Sequence, residues 1–118
     1  MRTVARTEPS IEYRDFSRVD MRVGRIVKVE DFPNAKNPSY KIWVDFGELG
    51  VKKSSAQLTK YSKDRLMSTL VIAVVNFRPK QIADFMSEVL ILGVSDESGF
   101  GVVAIQPERE VPLGRRVY

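Results

Sequence analysis

The chain has 118 residues, 43% hydrophobic and 29% charged, a composition suited to one soluble domain with a buried core. It contains no cysteine and no histidine, which excludes disulfides, thiolate nucleophiles, histidine-based triads and the usual zinc sites. The net charge of +4 is concentrated between residues 52 and 65, where Lys52, Lys53, Lys60, Lys63 and Arg65 stand against Asp64 alone. That segment suits an anionic partner or, equally, a solvated surface helix. No catalytic residue, metal or cofactor is expected, because the carboxylates are scattered singly and the commonest general base is missing.

In chain order, residues 1–9 read as a loose arm. The start MRTVARTEPS lacks the apolar centre of a secretory signal, and no stretch is long enough to span a bilayer. A cytoplasmic protein without membrane insertion is expected. Between Ser10 and Val19, Tyr13, Phe16 and Val19 recur at three-residue spacing and predict a short helix with one apolar side. Asp20–Glu30 reads as a long strand whose alternation breaks between Arg25 and Ile26, and Gly24 offers a bulge or bend to repair it. A loop with two prolines and two asparagines follows, Phe32–Ser39.

The second strand alternates cleanly. Tyr40, Ile42, Val44 and Phe46 share one face, while Lys41, Trp43 and Asp45 share the other. Trp43 is thus aimed away from the core, as half-covered surface or as a stacking or partner residue. Gly47–Gly50 turns the chain into a third strand, Val51–Leu58. Ser62 can cap a helix over Lys63–Met67. Two β-rich apolar runs then follow, Leu70–Phe77 and Val89–Leu92, joined by a polar connector in which Pro79 halts the first strand. Phe100–Ile105 is a further apolar strand, and VPLGRRVY a turn with a short edge strand.

Three strands, a short helix and two more strands, with a bend in the first, is the order of an OB-fold barrel. The expected fold is therefore mainly β: an arm and short helix over 1–19, then a five-stranded OB barrel with a C-terminal extension over 20–118. The second and third strands of that fold face oligonucleotides, and here they carry Lys41, Trp43, Lys52 and Lys53.

The stretches DMRVGRIV (20–27), VDFG (44–47), KKSSAQLTKYSKDRL (52–66), VVNFRPKQIADFMSEVLILG (74–93) and VVAIQPEREVPLG (102–114) together resemble the tRNA-binding-domain proteins, and within them the CsaA family of export-related chaperones. The resemblance implies an OB-fold homodimer that binds tRNA or other structured RNA and, in this branch, unfolded or export-bound polypeptides. It implies RNA contacts from Lys52, Lys53, Ser54 and Ser55 on the third strand and from Asn76, Arg78, Lys80 and Ser87 after the fourth. Trp43, Lys41 and Gln57 form the expected peptide or partner surface. Tyr13, Phe16, Val19, Val111 and Leu113 form the expected dimer interface, the alternative being that both ends pad their own barrel. Two departures stand out: Asp84 where most relatives have glycine, and Glu88-Val89-Leu90 where the wider pattern has Gln-Gly-Met. A carboxylate in place of an amide implies weaker phosphate contact, which favours the chaperone branch over a dedicated tRNA-binding module serving aminoacylation.

Overall fold

The structure, a computed structural model, describes residues 5–118, so the first four residues of the expected arm lie outside it. The chain forms α1 (Tyr13–Ser17), β1 (Met21–Asp31), β2 (Tyr40–Asp45), β3 (Val51–Ala56), α2 (Lys63–Leu66), β4 (Leu70–Val74), β5 (Lys80–Ile82), β6 (Phe85–Ser87), β7 (Leu90–Ile91), β8 (Gly93–Ser95) and β9 (Val102–Ala104). Five antiparallel strands form the main sheet in the order β3-β2-β1-β4-β7. The sheet curls until its edges meet: the Glu88 and Val89 amides both donate to the Lys53 carbonyl, at 2.8 and 3.2 Å. The result is a mainly β, OB-type barrel with α2 between its third and fourth strands.

Alternation builds the interior. Ile42, Val44 and Phe46 are wholly enclosed, joined by Ile26, Leu58, Leu66 and Val71. Each fully buried side chain of this size contributes about 1.5–3 kcal/mol. Ser62 caps α2 by accepting the Arg65 amide at 3.1 Å, which drops Leu66 into the barrel end.

The break in β1 is real, but it sits elsewhere than expected. The register slips between Ile26 and Lys28, so Val27 is the bulged residue and Gly24 is not. Gly24 answers to packing instead. A Cβ there would run into Val44 Cγ1 and come within 2.7 Å of Phe46 Cε1. The long strand can cross the core only where it carries no side chain.

Several elements are shorter than the sequence suggests. The fourth strand ends at Val74 rather than Phe77, because β1 begins opposite it at Met21. The third ends at Ala56, and the last barrel strand is Leu90–Ile91 alone. The predicted Phe100–Ile105 strand is reduced to β9, which pairs with β8 in a separate hairpin and leaves Phe100 90% exposed. The polar connector is itself a hairpin, β5–β6, with Ala83 and Asp84 as its two-residue turn. The left-handed position there is Ala83 (φ +50°), not Asp84.

The C-terminal segment lies along β1: Val23 donates to the Arg115 carbonyl, and Gly114 and Val117 donate to those of Val23 and Met21. Val111 and Leu113 are half-buried against their own chain. No helix among the described residues is long and apolar enough to cross a membrane.

Candidate nucleic-acid interface

Register places Lys28 of β1, Trp43 of β2 and Lys53 of β3 in one row across the outside of the barrel. Lys41 shares that face two residues earlier on β2. The β5–β6 hairpin folds over the row and inserts Phe85 between Phe32 and Trp43, with both pairs of ring centroids 5.6 Å apart and near edge-on. Phe85 is the buried anchor of this hairpin, while Ile82 is half-buried on its other side and Asp84 lies 3.9 Å from Lys41. Lysine ammonium groups lie over these rings: Lys28 is 4.6 Å from Trp43, Lys41 is 5.1 Å from Phe32 and 5.5 Å from Phe85, and Lys53 is 5.3 Å from Phe85. Each such contact is worth about 0.5–1 kcal/mol at a partly wet site. Its larger effect is to hold three cations on one surface. Trp43 is half-buried beneath Lys28 and Phe85, so it supports the face and offers little free ring for stacking.

The expected RNA contacts divide. Lys53 belongs to the face. Lys52 has the opposite parity, shared with Ser54, and Ser54 is wholly enclosed with no partner for its hydroxyl among the described residues. Ser54 therefore cannot touch RNA, a correction that follows from strand alternation. Asn76 is also engaged elsewhere. Its side-chain oxygen accepts the Asp20 amide at 3.0 Å and its nitrogen donates to the Arg18 carbonyl at 2.7 Å, clasping the α1–β1 junction.

Ser55, Arg78, Lys80, Ser87 and Gln57 come together on the far side of the hairpin. They line a cleft of about 690 Å³ whose apolar walls are Phe77, Ile82, Val89 and Leu90. Gln57 is thus separated from Lys41 and Trp43. Ser87 and Glu88 serve the free edge of β3: Ser87 Oγ accepts the Ser55 amide at 3.2 Å, and Glu88 Oε1 accepts the Lys53 amide at 3.0 Å. A glutamine oxygen could accept the same bond, so the carboxylate at 88 serves barrel closure rather than phosphate contact.

Three contributors escape a sequence reading. Lys28 follows the bulge at Val27, where the alternation breaks and the sequence does not say which face it takes. Phe32 lies in a loop, and Phe85 is one aromatic residue in a polar stretch, so neither carries periodicity. Hydrogen bonds set the titration of the surrounding ion pairs. Arg22, 2.6 Å from Asp20, holds that carboxyl below the usual range despite partial burial. Asp31 raises Lys63 through a 2.8 Å bond. Among the described residues no three side chains are grouped to hold a metal.

Residues 21–116 match the family model described as "Putative tRNA binding domain". A CsaA chaperone protein from Picrophilus torridus is 48% identical with a TM-score of 0.86, covering 92% of this chain and 100% of that one. Chaperone CsaA from Bacillus anthracis is 43% identical at the same TM-score, covering 93% and 100%. Methionine–tRNA ligase of Thermococcus onnurineus is 38% identical over 108 residues, which are 91% of this chain but only 14% of the ligase's length.

Proposed function

The chain belongs to the tRNA-binding-domain family, in its CsaA-type branch, and from that premise we propose that it is a non-enzymatic cytoplasmic homodimer that binds tRNA or other structured RNA and holds unfolded or export-bound polypeptides. The observation that carries the RNA reading is the in-register row Lys28–Trp43–Lys53 with Lys41 beside it, pinned by rings already covered by their neighbours. Cations fixed on a surface without free aromatic faces suit backbone phosphates better than splayed bases. Arg78 and Lys80 extend the positive surface past the hairpin, and Ser55 and Ser87 lie next to them. Polypeptide binding is supported by the cleft, where Phe77 and Leu90 remain 56% and 47% exposed.

Filter binding with tRNA tests the reading. With about five phosphates contacted, raising salt from about 50 to about 200 mM should weaken binding roughly 100-fold. Lys53→Ala should weaken it by about fivefold and lower the salt slope by about one, whereas Lys52→Ala should stay within about twofold. Salt-insensitive binding, or equal losses from the two variants, defeats the account of the face. A module that handles tRNA for aminoacylation without holding polypeptide is the second reading, favoured by the methionine–tRNA ligase relatives. Native co-purification that yields RNA and never polypeptide selects it.

A further inference from the structure

The free edge of β3 is used only in part. In an antiparallel strand the amide and carbonyl of one residue point to the same side, and alternate residues point to alternate sides. Lys53 and Ser55 direct their amides away from β2, towards Glu88 and Ser87. The Ser55 carbonyl therefore points the same way, and no protein donor among the described residues meets it. The Gln57 amide, one residue past the end of β3, has no protein acceptor among the described residues either. Both residues line the cleft of about 690 Å³ described above. An acceptor and a donor two residues apart on an open strand edge are what one residue of an extended main chain can satisfy. Side chains on alternate positions of such a strand would meet Phe77 and Leu90, exposed in the apolar wall. Arg78 and Lys80, against Glu88 alone, leave the cleft with one excess positive charge.

We propose that this cleft takes an extended polypeptide by strand addition to the Ser55–Gln57 edge of β3, selecting apolar residues at alternate positions followed by a carboxylate. The inference rests on the polypeptide-holding half of the proposed function and gives it a binding mode. It leaves the Lys28–Trp43–Lys53 row across the hairpin free, while Arg78 and Lys80 serve both readings.

The test uses a fluorescein-labelled hexapeptide of alternating valine and threonine ending in glutamate, and the same peptide with its alternate backbone amides N-methylated. Anisotropy is read with the full chain and with Phe77→Asp, and tRNA binding is measured in parallel. Strand addition expects at least a tenfold loss on methylation and at least a tenfold loss in Phe77→Asp, with tRNA, held mainly by the lysine row, losing only about threefold to the new charge beside Arg78. Equal binding of the two peptides overturns strand addition. Loss on methylation without loss in Phe77→Asp overturns the cleft as the location. Displacement of the peptide by AMP at concentrations that leave tRNA bound identifies a base pocket and also overturns the proposal. If no peptide binds while tRNA does, the polypeptide reading itself fails and the RNA reading stands.

Discussion

Ser54 is the residue most at odds with its surroundings. Its hydroxyl is enclosed in the barrel with no partner among the described residues, and an unsatisfied buried polar group costs about 1–3 kcal/mol. Ser54→Ala removes the oxygen and leaves a gap of one atom, so it should stabilise the chain by about 1 kcal/mol. Thermal denaturation followed by circular dichroism should show a rise of about 4 °C. Gly24 lies at the other extreme, since any side chain there collides with Val44 and Phe46. Gly24→Ala should lower stability by about 1–3 kcal/mol, the usual cost of overpacking a closed core. Among the ion pairs, Asp20 has its folded pKa lowered by the bond from Arg22, and Asp96 has its own lowered by the Ser98 hydroxyl and nearby backbone amides. Groups lowered in this way contribute stability that is present above the unfolded value near 3.8 and is lost as pH falls through the folded one. With no histidine to titrate between about pH 5 and 8, the melting temperature should stay flat across that range and fall only below about pH 4. A transition near pH 6 in a pH series of melting curves contradicts this.

The β5–β6 hairpin decides whether the lysine face exists as a surface. Phe85 is its buried anchor, touching Phe32 and Trp43 and lying under Lys41 and Lys53. Phe85→Ala should cost about 3 kcal/mol and uncover Trp43, moving its fluorescence to the red and raising acrylamide quenching. Unchanged emission would mean that the hairpin is held by other contacts. The sequence makes the barrel legible and this lid illegible, for one physical reason. β2 shows period-two alternation, α2 has its serine cap, and the order of strands and helix implies an OB barrel, because each signal is local. Phe85 meets Trp43 across 42 positions and leaves no periodic trace. The bulge at Val27 carries no glycine to announce it, so the broken alternation leaves the face of Lys28 undecided. Ser54 and Lys53 are neighbours in a polar run, and only the register against Ile42 and Trp43 shows which of them turns inward.

For the whole molecule, the question is what covers the end where α1 and the C-terminal segment meet. α1 is only five residues long, too short to persist unless docked. Asn76 and Arg116 hold its C-terminal side, the latter donating to the Ser17 carbonyl. The Tyr13 and Phe16 rings lie 6.1 Å apart and line a small hollow with Val117 and Tyr118. Yet Ile11 and Tyr13 remain 71% and 74% exposed, and Tyr118 is fully exposed. Tyr13 and Tyr118 line one hollow, and half-buried Val111 and Leu113 lie on the same C-terminal segment as Tyr118, a surface that can meet its own copy in an isologous contact. A stable dimer needs about 800 Å² from each partner, and the adjoining turn, whose exposed Leu49 lines a hollow with Leu113, would extend the proposed contact. Light scattering should therefore give a dimer at micromolar concentration and a shift towards monomer in Tyr13→Asp/Tyr118→Asp. Two lysine faces on one particle can engage one RNA, and the second contact is then made at millimolar effective concentration. The monomeric variant should accordingly lose about 100-fold in tRNA affinity although no lysine has changed. A full-length monomer removes the dimer. A dimer that survives both substitutions and removal of residues 1–19 places the interface elsewhere, and a monomer with undiminished tRNA affinity shows that one face suffices.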